Sequence, residues 1–245
     1  MPDSVIDVAH LVSGYGRAII LQDVSFTVQQ GEIFAIIGKS GSGKTTLLKN
    51  LLGLSVYNSG SAKVLGTEIA DHEAVEKSGL RQRMGVLFQR GALLNSMTVG
   101  ENVGLPLEMF TRMQPGEIKA QVQETLVSVG LSLAYDLKPQ QLSGGMIKRA
   151  ALARAIVRKP ELLFCDEPSS GLDPLTAKGI DELLLQLRRD NKMTMVVVTH
   201  DLLSIARIAD RLLLLKSGAA AFNGPAEEIK RMENADLREF FLKTP

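Results

Sequence analysis

The sequence predicts a mixed α/β fold, and two kinds of apolar pattern along its 245 residues lead to that class. Residues 4–30 and 60–70 alternate between apolar and polar side chains, as antiparallel strands with one buried face do. Uninterrupted apolar runs, which are typical of parallel strands covered by helices on both faces, occur at Ile33–Ile37, Leu162–Cys165 and Met195–Val198. Both strand types therefore belong to one chain.

The stretch between about residues 98 and 157 has helical signals instead. Thr98 and Glu101 have the spacing of a capping box, which marks a helix start. One helical face further on would carry Ile118, Val122, Leu126 and Val129. Earlier in the chain, the residues Asn58-Ser59-Gly60 predict a turn between segments. A helical insertion is therefore expected to divide the α/β core.

Charge and composition narrow the functional classes. The chain has 28 Lys and Arg against 27 Asp and Glu, and this balance argues against nucleic acid as the main partner. The single cysteine, Cys165, lies in an apolar run and is expected to be a buried small hydrophobe. Residues 1–4 lack the features of a signal peptide, and no apolar run approaches the ~18 residues of a membrane helix. A cytoplasmic chain is the expectation.

The most specific motif is G-x-x-x-x-G-K-[ST], which follows the first apolar run. Its residues are Gly38, Lys39, Ser40, Gly41, Ser42, Gly43, Lys44 and Thr45. Glycines let the backbone N–H groups turn toward phosphate, and a helix beginning near Lys44 adds its positive end. Lys44 is expected to reach the β- and γ-phosphates, Thr45 to ligate Mg²⁺, and Thr46 to add another N–H. The alternative is a glycine-rich linker, which needs neither a buried strand before it nor Lys-Thr at its end.

Two adjacent carboxylates, Asp166 and Glu167, follow the second apolar run. The carboxyl ends of strands are where α/β sheets place their chemistry. Successive strand residues point in opposite directions, so the two side chains need not share a task. We assign Asp166 to Mg²⁺ and Glu167 to the attacking water. The alternative is an acidic pair that caps a surface turn.

Three further polar residues stand at places where strands end or helices begin. Ser143 precedes a helix rich in alanine, and Asp173 precedes Pro174, so both fit helix N-caps. Because a helix start also attracts anions, Ser143 can cap its helix and meet a γ-phosphate as well. His200 follows the third apolar run, at the edge where a triphosphate would lie. His10 and His72 have no such setting and are expected at the surface.

Taken in order, these segments resemble the ATP-binding cassette ATPases. The residues 142–146 read LSGGM, close to the family's LSGGQ signature, and Ser170–Asp173 is similar to its D-loop. Tyr15 matches the aromatic residue that stacks on adenine, and Gln89 matches the Q-loop glutamine. Considered individually, Tyr15 is better explained as a strand-edge aromatic and Gln89 as a solvated loop amide, and only their order beside the phosphate loop favours the functional interpretation.

The resemblance implies a P-loop NTPase with a RecA-like mixed sheet core, an antiparallel β-subdomain and an inserted helical subdomain. A single ATPase domain would span 1–245, with the core and β-subdomain at about 1–90 and 160–245 and the helical signature subdomain at about 91–159. It also implies a head-to-tail homodimer that encloses two ATP molecules. Signature residues of one copy would then face the phosphate loop of the other, and only the closed dimer would be catalytic.

The resemblance also assigns roles to residues. The catalytic residues would be Lys44, Gln89, Glu167 and His200. ATP would be bound by Tyr15, Gly38, Lys39, Ser40, Gly41, Ser42, Gly43, Lys44, Thr45, Thr46, Gln89, Ser143, Gly144, Gly145, Asp166, Asp173 and His200. The Mg²⁺ ligands would be Thr45, Gln89 and Asp166.

Met146, where glutamine is usual in the signature, indicates a subgroup. LSGGM followed by Lys-Arg-Ala-Ala-Leu-Ala-Arg-Ala is similar to the ATPase subunit of Mla-type, MCE-associated phospholipid transporters of double-membraned bacteria. This match implies a multipass permease, an MCE-domain lipid-binding protein and a STAS-domain protein as partners. The subunit would lie at the cytoplasmic face of the inner membrane, attached through the permease. Methionine lacks the amide's hydrogen bonds, so any polar contact from this position is lost.

A partner surface and several rival functions complete the sequence-based predictions. The apolar segments 92–94 and 103–107 suit a groove for a permease helix, although packing within the helical lobe would account for about half of them.

Rival functions are another ABC importer or exporter, a lipoprotein-release system, and a soluble ABC ATPase acting on DNA, ribosomes or iron–sulfur assembly. A GTPase is disfavoured, because Asn191-Lys192 is followed by Met193-Thr194 and not by the aspartate that would bind guanine. A nucleotide kinase is disfavoured, because no lid segment for a phosphate acceptor is evident in the sequence.

Overall fold

The structure is a computed structural model that describes residues 4–89, 91–231 and 234–242. It divides into two compact units: the first comprises Met1–Arg81 with Thr194–Pro245, and the second comprises 82–193. None of the helices in the described part of the chain has the length and apolar composition that a membrane crossing requires.

Strands and helices are interspersed along the chain. The strands are β1 (Ser4–Tyr15), β2 (Ala18–Gln29), β3 (Ile33–Ile37), β4 (Ser59–Val64), β5 (Thr67–Glu68), β6 (Met84–Leu87), β7 (Leu162–Asp166), β8 (Thr194–Val198), β9 (Arg211–Lys216) and β10 (Ala219–Pro225). The helices are α1 (Lys44–Leu51), α2 (His72–Lys77), α3 (Leu80–Arg83), α4 (Val99–Phe110), α5 (Pro115–Ser128), α6 (Gly144–Ile156), α7 (Pro174–Asn191), α8 (Leu202–Ile208), α9 (Glu228–Arg231) and α10 (Ala235–Leu242).

The first unit contains the predicted antiparallel sheet, with strand order β2-β1-β4-β5. Alternate residues of β2 point into its core, so Val24, Phe26 and Val28 are buried as their spacing predicted. Phe26 stacks on Phe34 of β3, with ring centroids 5.4 Å apart. This stacked pair joins the antiparallel sheet to the parallel strands of the same unit.

The parallel strands of the first unit follow the order β9-β3-β8, and β10 adds an antiparallel edge beside β9. Every residue of β3 and β8 is buried, which confirms that these uninterrupted apolar runs are covered on both faces. Helices α8 and α10 contribute Ile205, Leu237 and Phe240 to the core beneath β3 and β9.

The predicted turn at Asn58–Gly60 is wrong, because Ser59 and Gly60 already belong to β4. Opposite them, the register between β1 and β4 shifts between Ala9 and Val12, as at a β-bulge. Gly60 has φ +93°, and a Cβ there would lie 2.4 Å from the carbonyl oxygen of His10. The glycine therefore serves a close approach of two strands rather than a chain reversal.

The second unit pairs β6 and β7 in parallel and carries α4 to α7. The capping box is confirmed, since Thr98 accepts from the N–H of Glu101 and the Glu101 carboxylate accepts from the N–H of Thr98. On the predicted face of α5, Val122 and Leu126 are buried, as is Val129 just beyond it. Burial of Cys165 in β7 raises the pKa of its thiol to about 12, in keeping with its expected role as a small hydrophobe.

Candidate functional site

The phosphate-binding motif forms a loop between β3 and α1, as the sequence predicted. Two of its glycines are required by close packing as well as by backbone conformation. Gly38 has φ +153°, and a Cβ there would lie 2.4 Å from the carbonyl oxygen of Leu215. Gly43 has φ +104°, and a Cβ there would lie 2.6 Å from Leu21. Neither position accepts a larger residue without a shift of its surroundings.

The polar groups of this loop fit a triphosphate. Helix α1 begins at Lys44, whose ammonium donates to the carbonyl oxygens of Gly38 at 2.7 Å and Lys39 at 3.1 Å. Ser42 is 5% exposed, and its hydroxyl has no hydrogen-bond partner within the described residues. A buried hydroxyl with no partner among the described residues, a helix N-terminus and the Lys44 ammonium are donors of the kind that an anionic phosphate requires.

His200 lies at the same sheet edge as the phosphate loop. Strands β3 and β8 are parallel neighbours, with Ile36 paired to Val198, and the N–H of Thr199 donates to the carbonyl of Ile36 at 3.2 Å. Both segments therefore leave the sheet at its carboxyl edge, and the side chain of His200 is exposed there. His10 and His72 are exposed as expected.

Tyr15 ends β1 in the first unit and is 52% exposed. An aromatic ring with half of its surface accessible is able to stack on a planar base. The contact of Tyr15 with adenine stays a prediction.

In the second unit, the strand pairing brings the predicted water- and metal-binding residues to one edge. Leu87 of β6 is paired with Cys165 of β7, so Asp166 at the end of β7 and Gln89, two residues after β6, lie at neighbouring strand ends. Glu167 is only 9% exposed and has φ +49°, a left-handed backbone that non-glycine residues rarely adopt. Strained residues of this kind cluster at functional sites, which supports a special task for Glu167.

Ser143 and Asp173 are both helix N-caps, as local sequence predicted. Ser143 accepts from the N–H of Met146 at 3.3 Å at the start of α6. Asp173 accepts from the N–H groups of Leu175 and Thr176 at the start of α7. The hydroxyl of Thr176 also donates to Asp173 and holds the pKa of that carboxyl below its usual value. Both Ser143 and Gly144 are exposed, so this helix start is accessible to a ligand.

Two residues that the sequence-based predictions missed bind the backbone around this edge. Lys148 is 6% exposed and donates from Nζ to the carbonyl oxygens of Gln89 and Glu167. Burial lowers the pKa of Lys148, while the charges of Glu167 and Asp166 oppose that effect. The sequence did contain a signal for the burial of Lys148. Ala151 and Leu152 follow it by three and four residues, so they share its helix face, and both are buried.

Asn102 was also missed, and it fixes the loop that follows Gln89. Its side chain, fully buried, accepts from the N–H of Leu94 at 2.7 Å and donates to the carbonyl oxygens of Leu94 and Thr98. No sequence motif marks this residue, because its partners are backbone groups.

Within the described ranges, no group of three His, Cys, Asp or Glu side chains lies close enough to hold a metal by itself. Mg²⁺ commonly takes one or two carboxylates, with water and substrate phosphate completing its shell. Thr45 and Asp166 are of the oxygen-donor type that this ion prefers, and their service as ligands stays a prediction. The ion would neutralise charge on the phosphates when bound.

Comparison with known proteins agrees with this geometry. The family model described as ABC transporter matches residues 21–170. The methionine import ATP-binding protein MetN of Clostridioides difficile (strain 630) is 40% identical over 235 residues, covering 96% of this chain and 73% of that protein. The probable ribonucleotide transport ATP-binding protein mkl of Mycobacterium tuberculosis (strain ATCC 25618 / H37Rv) is 36% identical, covering 96% of this chain and 66% of that protein.

Solved structures give the same result. The dimeric ATP-binding cassette MJ0796, in a post-hydrolysis state bound to ADP and Pi, superposes with a TM-score of 0.81 at 31% identity, covering 90% of this chain and 98% of that one. The cbiO1 protein of Clostridium perfringens, part of the ABC transporter complex cbiONQ, superposes with a TM-score of 0.85 at 28% identity, covering 99% and 96%. The predicted P-loop NTPase fold is confirmed.

Fold and site thus define an ATPase cassette, and the chain belongs to the ABC transporter family. Within that family it is an ATP-binding subunit, the class to which the named relatives belong.

Proposed function

We propose that this subunit hydrolyses ATP through Lys44, Glu167, His200 and Gln89, and that the hydrolysis powers a separate membrane permease. The observation that carries the proposal is the phosphate loop, with its two sterically required glycines and the buried Ser42 hydroxyl, which has no partner in the part of the chain that the structure describes. Lys44 holds phosphate charge, and Glu167 polarises the attacking water. Gln89 and His200 contact the γ-phosphate region, where charge develops during the reaction.

The remaining assignments complete the nucleotide site. Tyr15 stacks on adenine, and the loop from Gly38 to Thr46 surrounds the phosphates. Thr45, Gln89 and Asp166 hold Mg²⁺, and the ATPase domain spans the chain with its helical insertion at about 91–159. Conversion of ATP and water to ADP and phosphate is the chemistry that such a donor set performs.

A homodimer is part of the proposal. Ser143, Gly144, Gly145 and Asp173 of one copy would meet the triphosphate held by the other, so that closure completes the site. Support comes from the exposed, N-capped start of α6 and from the dimeric state of the MJ0796 cassette. Binding of ATP joins the copies, and hydrolysis releases them.

The proposed permease surface lies on the second unit. Of the apolar segments considered for it, Val103, Gly104 and Leu107 are buried within the unit. By contrast, the side chains of Leu94, Met109 and Phe110 are 43%, 63% and 50% exposed, so they do not serve only to pack the interior of the unit. These three side chains offer apolar contact for a permease helix at the cytoplasmic face of an inner membrane.

For the transported molecule, we propose phospholipid, with an MCE-domain protein and a STAS-domain protein as further partners. This rests on the LSGGM signature with Met146, which is half-buried at the start of α6. The rival substrate is methionine, because relatives named for methionine import are 36–40% identical to this chain over the aligned residues. Other importer, exporter or lipoprotein-release systems are less favoured alternatives, and a soluble cassette is the least favoured.

The test is purification of the tagged chain from a bacterial envelope, followed by ATPase assays of the complex in proteoliposomes. We expect a multipass permease and an MCE-domain protein to copurify, and phospholipid to stimulate hydrolysis. The same complex carrying Glu167→Gln is the control for background phosphate release. Stimulation of hydrolysis by methionine but not by phospholipid would show that methionine, and not phospholipid, is the transported molecule. Copurification with ribosomes or DNA in place of a permease would refute the transport function.

A further inference from the structure

The ammonium of Lys148 joins two segments of the second unit that the proposed function uses. Lys148 lies in α6, five residues after the Ser143 cap, and is 6% exposed. Its Nζ donates to the carbonyl oxygen of Gln89 and, at 2.9 Å, to that of Glu167. One buried side chain therefore holds the backbone of both residues.

The backbone of Glu167 needs such support. Its φ of +49° lies in the left-handed region, which costs free energy for a residue with a Cβ. Its carbonyl oxygen accepts from Lys148, and also from the N–H and the hydroxyl of Ser170 at 3.3 and 3.1 Å. Three donors on one carbonyl fix the peptide plane, and thus the direction in which the Glu167 side chain leaves the backbone.

The segment after β6 is held from the same helix. Arg154 of α6 donates to the carbonyl oxygens of Gly91 and Ala92, both at 2.7 Å. Together with Lys148 it binds three carbonyl groups between residues 89 and 92. Side chains of α6 therefore hold the chain on both sides of residue 90.

Packing alone does not explain why a lysine occupies position 148. Burying an ammonium costs more than burying an apolar side chain, and the neighbouring positions Ala151 and Leu152 show that this face accepts apolar residues. The cation is placed against two carbonyl groups whose residues carry the proposed water- and phosphate-binding side chains. The buried ammonium therefore orients the backbone of these two residues, which an apolar side chain would not do.

We propose that Lys148 is a positioning residue for ATP hydrolysis, which sets the carboxylate of Glu167 and the amide of Gln89 relative to each other through their carbonyl groups. The proposal rests on the proposed function, because it assigns Lys148 a task only where Glu167 and Gln89 act on ATP. Since Lys148 touches neither nucleotide nor water in this role, it is expected to affect kcat and not KM.

The experiment compares Lys148→Met, which keeps the stem and removes the donors, with Lys148→Arg, which keeps a donating cation. Steady-state ATPase kinetics are measured on the complex with its permease, together with thermal unfolding. We expect Lys148→Met to lower kcat by about 10- to 100-fold with KM within about twofold, because small misplacements of catalytic groups have effects of that size. Lys148→Arg should recover kcat to within about threefold of the wild type.

The exposed Lys77→Met, on α2 of the first unit, is the matched control and should behave as the wild type. If Lys148→Met does not fold, Ser170→Ala, which removes one donor to the Glu167 carbonyl, should lower kcat at constant KM. A wild-type kcat in Lys148→Met, or an equal loss in the Met and Arg variants, would overturn the proposal. Absence of ATP hydrolysis by the wild-type complex would instead refute the proposed function itself.

Discussion

Lys44 and Glu167 have different surroundings, in keeping with the different tasks proposed for them. Lys44 is half-buried, and its ammonium is held by two carbonyl oxygens of the phosphate loop. Glu167 is buried and has a left-handed backbone, which costs about 1–3 kcal/mol and persists only where its surroundings hold it. One residue is suited to meet an anion, and the other to hold a fixed orientation.

We expect Lys44→Ala to lose ATP binding and Glu167→Gln to keep binding but lose turnover. Removing the ammonium should weaken binding at least about tenfold, since a charged hydrogen bond contributes about 1.5–3 kcal/mol. Removing the carboxylate should lower kcat by about 100-fold or more, as for other general bases. Equilibrium binding of a fluorescent ATP analogue and phosphate release measure the two effects. The exposed Glu124→Gln on α5 is the control, and substantial hydrolysis by Glu167→Gln would show that another residue positions the water.

At the scale of elements, the connection from β6 to α4 is shaped by side chains rather than by regular structure. Asn102, in the first turns of α4, satisfies both backbone groups of Leu94 and one of Thr98. Buried backbone groups need such partners, because their loss is costly in an apolar interior. The loop bearing the exposed Leu94 thereby has a defined course.

We expect Asn102→Leu to destabilise the protein by about 1–3 kcal/mol, because the N–H of Leu94 would lose its acceptor and the Leu94 carbonyl would lose one of its two donors. Urea unfolding of both proteins measures the difference in the free energy of unfolding. Gln123→Leu, an exposed position on α5, is the control and should change stability by less than about 0.5 kcal/mol. An Asn102→Leu protein as stable as the wild type would mean that the loop finds other partners.

At the scale of the whole molecule, the proposed site is completed by a second copy. Gly145 lies in the first turn of α6, beside the exposed Ser143 and Gly144 that would face the partner's triphosphate. A Cβ at Gly145 would lie 2.6 Å from the methyl group of Thr176, so every side chain there has a steric cost. A charge at this position would add repulsion toward phosphate.

We expect Gly145→Asp to abolish ATP-dependent dimerisation, whereas its neutral isostere Gly145→Asn only weakens it. Both variants are made together with Glu167→Gln, so that bound ATP is not consumed. Light scattering after size exclusion measures the dimer with and without ATP, and the difference between Asp and Asn should be at least about tenfold in dimer affinity, or about 1.4 kcal/mol. Dimers of Gly145→Asp at the level of Glu167→Gln alone would refute the head-to-tail arrangement.

The sequence by itself determined the features that depend on local chemistry. Glycine spacing and Lys-Thr predicted the phosphate loop, because few residues tolerate that backbone. Ser143, Asp173 and Thr98 were recognisable as N-caps, since a cap needs only N–H groups two or three residues away. Apolar runs predicted the buried strands, and strand ends predicted which polar residues share a sheet edge.

Only the tertiary structure decided the features whose partners are distant in sequence. Lys148 meets the carbonyl groups of residues 59 and 19 positions away, and no local pattern encodes such a contact. Gly60 resembled a turn residue, yet the approach of β1 to β4 makes it part of a strand. Backbone carbonyl groups are present at every residue, so the sequence does not reveal which of them a buried cation will bind.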